Sequence, residues 1–167
     1  MEKYDIIGNS KNRLEARLSN FTARSFTFRG VECASLEGIL QSLKCPDKDT
    51  QKEMCMFVGK EAKAAGSAYW WQDTQILYWG NVLHTRYSQE YTTLITEIFD
   101  AAYAGDESYA EDLFDTGHYA LSHSIGLHNM RETILTETEF MFQLYRLRSR
   151  VRHDEELVMN QAIADSF

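Results

Sequence analysis

Proline occurs once in this chain, at Pro46, and no long Gly/Ser tract accompanies it, so nothing in the sequence reads as an interdomain linker. The 167 residues suit one domain around one core. No apolar run approaches the roughly 18 residues that a membrane span needs. The opening MEKYDIIGNSKNR has neither an apolar stretch nor a small-residue cleavage site, so no secretory signal is expected, and the expected location is cytoplasmic. Cysteine is scarce: Cys33, Cys45 and Cys55 are odd in number and lack zinc-ligand spacing, which favours reduced thiols over disulfides and implies no metal site. Basic residues are also few. Seventeen Lys and Arg face twenty-five Asp and Glu, a net charge of −8 that repels a bare phosphate backbone. General nucleic-acid binding is therefore not expected, whereas a local basic pocket for one or two phosphates remains compatible with it. No low-complexity segment and no period of 20–50 residues marks a repeat array.

Apolar residues at 44% and aromatics at 13% are enough to build a core. Short strands are expected early. Tyr4 to Ile7 is one, and Phe26 and Phe28 alternate with polar neighbours before an Arg29-Gly30 turn and Val31 to Cys33, which reads as a small hairpin. Gln75 to Tyr78 and Val82 to His84 flank Trp79-Gly80-Asn81 as a second hairpin. The rest is helical. Leu36, Ile39, Leu40 and Leu43 make one apolar face of a helix running to about Lys44, capped by Ser35 and stopped by Pro46. A second helix is expected from about Asp49 to Ala65, ended by Gly66. A third is striped by Tyr91, Leu94, Ile95, Ile98 and Ala102, and a short fourth covers Tyr109 to Phe114, with Gly117 just past it. Thr136 and Glu139 have capping-box spacing at the start of a long last helix through Phe140, Leu144, Leu147 and Val151. Arg146, Arg148, Arg150 and Arg152, spaced by two, fan around that helix and read as cations near its C-terminus, favoured by the macrodipole. The expected fold is α+β, mostly helical, a single domain with a few short strands.

Chemistry concentrates between Leu18 and Lys44. Glu37, Gln41 and Lys44 fall at i, i+4 and i+7, a polar stripe beside the apolar one. Glu37 and Lys44 are separated by about 10 Å of helical rise, too far for an ideal direct pair but suited to gripping two parts of one ligand. Taken on spacing alone, the stripe reads first as the solvated face of an amphipathic helix. Gly38 inside this helix costs up to about 1 kcal/mol relative to alanine, a cost accepted where another backbone or a ligand approaches closely. Trp70, Trp71 and Trp79 offer flat surfaces on which a base could stack, or ordinary packing.

Leu18-Ser19-Asn20-Phe21, then Phe26 to Gly30, then Ser35, Glu37, Gln41 and Lys44 keep the order and register of a pattern that resembles the NADAR (YbiA-like) family. Looser similarity continues through Gly59-Lys60-Glu61-Ala62, Leu113 to Gly117 and Leu144 to Arg148. The resemblance implies a YbiA-like domain over residues 1–150, leaving 151–167 as an acidic C-terminal extension, expected to be helical. It also implies cleavage of an N-glycosidic bond to ribose in an ADP-ribosyl or phosphoribosyl small molecule, such as ADP-ribosylated guanine or a ribosylamino-pyrimidine, with no cofactor and no metal. Glu37 would then stabilise the cationic ribose or activate water, and Lys44 would bind phosphate or hold the leaving group. Asn20 and Phe21 would form the pocket wall, with Gln41 and Trp79 as further substrate contacts. Where many members carry a late Tyr-Trp-Gly motif, this chain reads His123-Ser124-Ile125-Gly126, making His123 and Gly126 the candidates there. The alternative is a non-catalytic module that binds ADP-ribose or another NAD-derived nucleotide.

Overall fold

The computed structural model describes residues 2–166. Among them the chain runs β1 (Lys3–Asp5), α1 (Arg13–Arg17), β2 (Ala23–Phe28), β3 (Val31–Ser35), α2 (Leu36–Ser42), α3 (Lys48–Cys55) and α4 (Gly59–Gly66). It continues with β4 (Ile76–Trp79), β5 (Val82–Thr85), α5 (Gln89–Gly105), α6 (Glu107–Asp115), β6 (Ala120–Ser122) and α7 (Glu137–Asp165). The architecture is α+β and mostly helical, with strands only in two-stranded sheets. No helix among the described residues is long and apolar enough to cross a membrane.

Both hairpins form where alternation and turn residues place them. In the β2–β3 hairpin, Phe28 pairs with Val31 across Arg29 (φ +45°) and Gly30 (φ +80°). Two successive left-handed residues make the mirror-image turn that matches strand twist. In the β4–β5 hairpin, Trp79 pairs with Val82 and Gly80 takes φ +59°. Leu36, Ile39, Leu40 and Leu43 are all buried, as their spacing requires, and the Ser35 side chain accepts from Gly38 N–H at the helix start. The helix ends earlier than expected. Leu43 is its C-cap, and Lys44 N–H reaches only the Gln41 carbonyl (3.2 Å), so Lys44 stands on a tightened turn just beyond α2. The Thr136–Glu139 capping box is present in both directions.

Three expectations are corrected. The single helix from Asp49 to Ala65 is two, α3 and α4, broken at residues 56–58. The break lets the end of α3 press onto α2. A Cβ on Gly38 would lie 2.6 Å from the Phe57 carbonyl oxygen and 2.9 Å from that of Met54, and Ser35 Oγ donates to the same Phe57 oxygen at 2.7 Å. Helical periodicity cannot show this, because the pressure comes from another segment. Gly66 does not stop its helix through a left-handed conformation. It is helical, and a Cβ there would overlap Gln41 Oε1 at 1.9 Å. The arginines are not near a helix C-terminus, since α7 runs on to Asp165. Arg146 pairs with Asp100 at 2.7 Å, and buried Arg148 donates to the Thr116 hydroxyl and the Tyr119 carbonyl.

The feature that alternation could not reveal is the parallel pairing of β1 with β6, which sets Lys3 beside Ala120 and Asp5 beside Ser122. Three residues are too few for a pattern, and the partners lie far apart in sequence. The pairing continues past the strands. Ile6 N–H donates to the Ser122 carbonyl (2.8 Å), and Asp5 accepts from Ser124 N–H (2.8 Å). It thereby lays residues 6–9 beside residues 122–126.

Gly38→Ala should be more damaging than Gly30→Ala. The first overpacks against backbone that cannot swing aside, costing about 1–3 kcal/mol. The second meets nothing within 4 Å and bears only the strain of its positive φ, about 1–2 kcal/mol. Urea unfolding midpoints of the two variants test this, and an undisturbed Gly38→Ala midpoint would contradict the close approach.

Candidate active site

The wall of the site is α2. Successive helical residues point about 100° apart. With Gly38 turned against α3, Glu37 faces roughly a quarter turn away from that contact, into a cavity of about 570 Å³. That volume lies within the range of small-molecule sites. Glu37, Gln41 and Lys44 line it together, as do Asn20 and Phe21 from the segment before β2, and His123 and Gly126 from the segment after β6. Lys60 and Lys63 on α4 and residues 132–135 before α7 complete much of the rim. Among the described residues no three His, Cys, Asp or Glu side chains cluster closely enough to hold a metal ion.

Each wall is fixed by specific bonds. Glu37 N–H donates to the Asn20 carbonyl at 2.9 Å, tying the segment before β2 to the start of α2. Ser19 Oγ accepts from Phe21 N–H at 3.2 Å, and the ring of Phe21 lies beneath Lys63 Nζ, 6.0 Å from its centroid. Gln41 Nε2 donates to Glu37 Oε1 at 2.8 Å. Its Oε1 is buried without a partner against Gly66, and Asn20 Oδ1 is likewise buried without one. The loop carrying residues 133–135 is held by Arg86, whose guanidinium is fully buried. It donates to the Thr133 carbonyl (2.9 Å) and grips both Glu139 oxygens (3.0 and 2.7 Å), while Tyr91 OH donates to the Ile134 carbonyl (2.5 Å).

His123 is equally constrained. Its Nδ1 lies 2.7 Å from the Ile6 carbonyl oxygen. A carbonyl only accepts, so Nδ1 carries the proton, while Nε2 makes no hydrogen bond among the described residues. The ring stands edge-on to Phe140, at 5.2 Å between centroids, and its backbone N–H donates to Glu137 (3.2 Å). Gly126 is needed here, since a Cβ would lie 2.7 Å from His123 Cδ2.

Burial pushes the Glu37 carboxyl above the usual carboxylate range, against the pull of the Gln41 hydrogen bond and of the charges of Lys63, Lys44 and His123. Burial also lowers the Lys44 ammonium, which Glu37 partly counteracts and Lys63 reinforces. Glu37 and Lys44 make no direct ion pair, as their separation along the helix led one to expect.

One candidate stands elsewhere. Trp79 packs edge-on against Phe28, 5.1 Å between ring centroids, and takes no part in lining the cavity. Trp70 is solvent-exposed and Trp71 is buried in the core. His128 lies 3.5 Å from Glu137 on the surface. Sequence reasoning missed Lys60 and Lys63 as site residues. The signal was present in Gly59-Lys60-Glu61-Ala62-Lys63, where two lysines three apart share a helix face.

A family model described as Bacteriophage protein GP30.3 matches residues 13–149. The chain is 34% identical over 134 residues to an uncharacterized 17.1 kDa protein of the Gp30-rIII intergenic region of Enterobacteria phage T4, covering 78% of this chain and 88% of that protein. The NMR structure of the E. coli protein YbiA superposes with a TM-score of 0.60 at 14% identity, covering 93% of this chain and 89% of YbiA. The YbiA-like fold implied by the Leu18–Lys44 pattern is thus the fold observed.

The direction of the Glu37 shift has a consequence for stability. Because its carboxyl is raised on folding, the folded chain binds this proton more tightly than the unfolded chain does. The stability it contributes is full below the ordinary carboxylate range and is lost as pH rises through the raised value. Glu37→Gln carries no such loss. Its melting temperature should match that of the wild type in acid and exceed it increasingly towards neutral pH, with each kcal/mol relieved worth about 2–4 °C in a chain of this size. Thermal unfolding across pH 4–8 checks this. A difference that shrinks with rising pH would mean that the cationic neighbours, not burial, dominate.

Proposed function

We propose that this chain, which belongs to the Bacteriophage protein GP30.3 family, is an N-glycosidase acting on an ADP-ribosyl or phosphoribosyl compound. The observation that carries the reading is Glu37, a carboxylate oriented by Gln41 on the inner wall of a nucleotide-sized cavity whose rim carries Lys44, Lys60 and Lys63. Three lysines outnumber the two carboxylates, Glu37 and Glu132, that line this cavity in a chain of net charge −8, a local balance suited to a phosphate. Phe21 supplies a flat apolar face for a ring, and Asn20, whose buried Oδ1 has no partner, is the polar residue beside it.

Breaking the bond between ribose C1′ and a base nitrogen leaves positive charge on the sugar. A fixed carboxylate in a partly dry cavity stabilises that charge without having to reorganise, and it can take a proton from the attacking water. The raised carboxyl of Glu37 fits the second role, because a base poised nearer neutrality takes up the proton more readily. The matching substrates are ADP-ribosylated guanine or a related modified nucleobase, and phosphoribosylamino-pyrimidines. The second reading, a module that binds such a nucleotide without turnover, draws on His123-Ser124-Ile125-Gly126 standing where many YbiA-like proteins carry another motif.

Turnover separates the two readings. ADP-ribosylated guanine, NAD and a phosphoribosylamino-pyrimidine are incubated with the protein and the products are identified by mass spectrometry. On a compound that is cleaved, Glu37→Gln should lower the single-turnover rate by about 10²–10³. Its dissociation constant should stay within roughly tenfold, because the charge is needed only in the transition state. Lys44→Ala should weaken binding as well. Binding of a panel member without cleavage supports the module, and full activity in Glu37→Gln removes Glu37 from the mechanism.

A further inference from the structure

We infer that His123 is the general acid of this site, protonating the departing base through Nε2, and that the site is therefore built for ribosides whose leaving group is a neutral nucleobase needing a proton. This inference rests on the glycosidase reading above.

The ring lines the same cavity as Glu37 but comes from a different part of the chain, delivered by the parallel pairing of β1 with β6. Four contacts leave it little freedom: the 2.7 Å bond from Nδ1 to the Ile6 carbonyl, the edge contact with Phe140, the Glu137 hold on its backbone and the close approach of Gly126. A merely structural histidine satisfies both ring nitrogens or exposes them to bulk water. Here one nitrogen is locked by a backbone acceptor, and the other has no partner among the described residues on a ring that lines the cavity. The charge of this ring is also felt at Glu37. A carboxylate and an imidazole lining one cavity from separate segments, with neither bonded to the other, is the arrangement hydrolysis needs. One group serves the water side and the other the leaving-group side.

The step balances as follows. The C1′–N bond breaks and its electron pair goes to the base nitrogen, which takes the proton from Nε2 of the imidazolium. Water adds to C1′ through its oxygen and gives one proton to Glu37. That proton returns through solvent to His123, so the net change is addition of one water across the bond. Nδ1 keeps its proton and its bond to Ile6 throughout.

A leaving group that needs no proton tests this. The ribosyl group of whichever compound the wild type cleaves is also prepared as its p-nitrophenyl derivative, which departs as p-nitrophenolate. His123→Asn keeps an N–H able to reach the Ile6 carbonyl but has no proton to give. It should lose about 10²-fold or more in single-turnover rate on the nucleobase compound. The loss on the p-nitrophenyl derivative should be at least tenfold smaller. In a second measurement, free imidazole should restore part of the nucleobase cleavage lost in His123→Ala and leave Glu37→Gln unaffected. Equal losses on both leaving groups, or no rescue by imidazole, would overturn the inference while leaving the glycosidase reading in place. A wild type that cleaves neither compound would overturn both.

Discussion

The geometry of the site depends on the approach of one backbone to another at Gly38. The end of α3 sets the Phe57 and Met54 carbonyls where a side chain on α2 would otherwise stand. This fixes the rotation of α2 about its axis. Once Gly38 is turned to α3 and Leu36, Ile39 and Leu40 to the core, the one polar face left carries Glu37 and Gln41 into the cavity. Ser35 strengthens the arrangement from both sides, accepting from Gly38 N–H and donating to the Phe57 carbonyl. The same contact explains why α3 and α4 are separate. A continuous helix would keep those carbonyls for its own hydrogen bonds and carry Lys60 and Lys63 elsewhere.

The opposing wall is held by long-range bonds rather than by helix packing. The β1–β6 pairing brings Ile6 to His123, and buried Arg86 ties the loop before α7 to Glu139, which at the same time completes the cap of α7. Burying an arginine is costly unless its donors are satisfied. Here two carboxylate oxygens and a carbonyl satisfy them, so the loop bordering the cavity is anchored at its centre. The result is a cavity with one wall set by local helical geometry and the other by contacts between distant segments.

That division also explains what could be read from the sequence. The hairpins, the apolar stripes, the capping box and the Glu37–Gln41–Lys44 face were legible because each is encoded within about ten neighbouring residues. Asn20 and Phe21 were placed through resemblance to a family pattern, and the structure brings them to the same cavity. The break between α3 and α4, the steric reason for Gly66 and the parallel β1–β6 pair were not legible, because each depends on what a distant segment does. Trp79 shows the converse. An aromatic at a hairpin tip suits either stacking on a ligand or packing, and only the position of Phe28 decided for packing.

A carboxylate raised by burial, a cluster of lysines and an imidazole with one free nitrogen converge on a space fit for a nucleotide. The bond we propose is broken there joins ribose to a base. The most direct test is mass spectrometry of the products formed from ADP-ribosylated guanine by stoichiometric protein. Free guanine and intact ADP-ribose in equal amounts, together one water heavier than the starting compound, are the predicted result. Uncleaved starting material, or cleavage within the diphosphate that leaves ribose attached to guanine, would contradict the account.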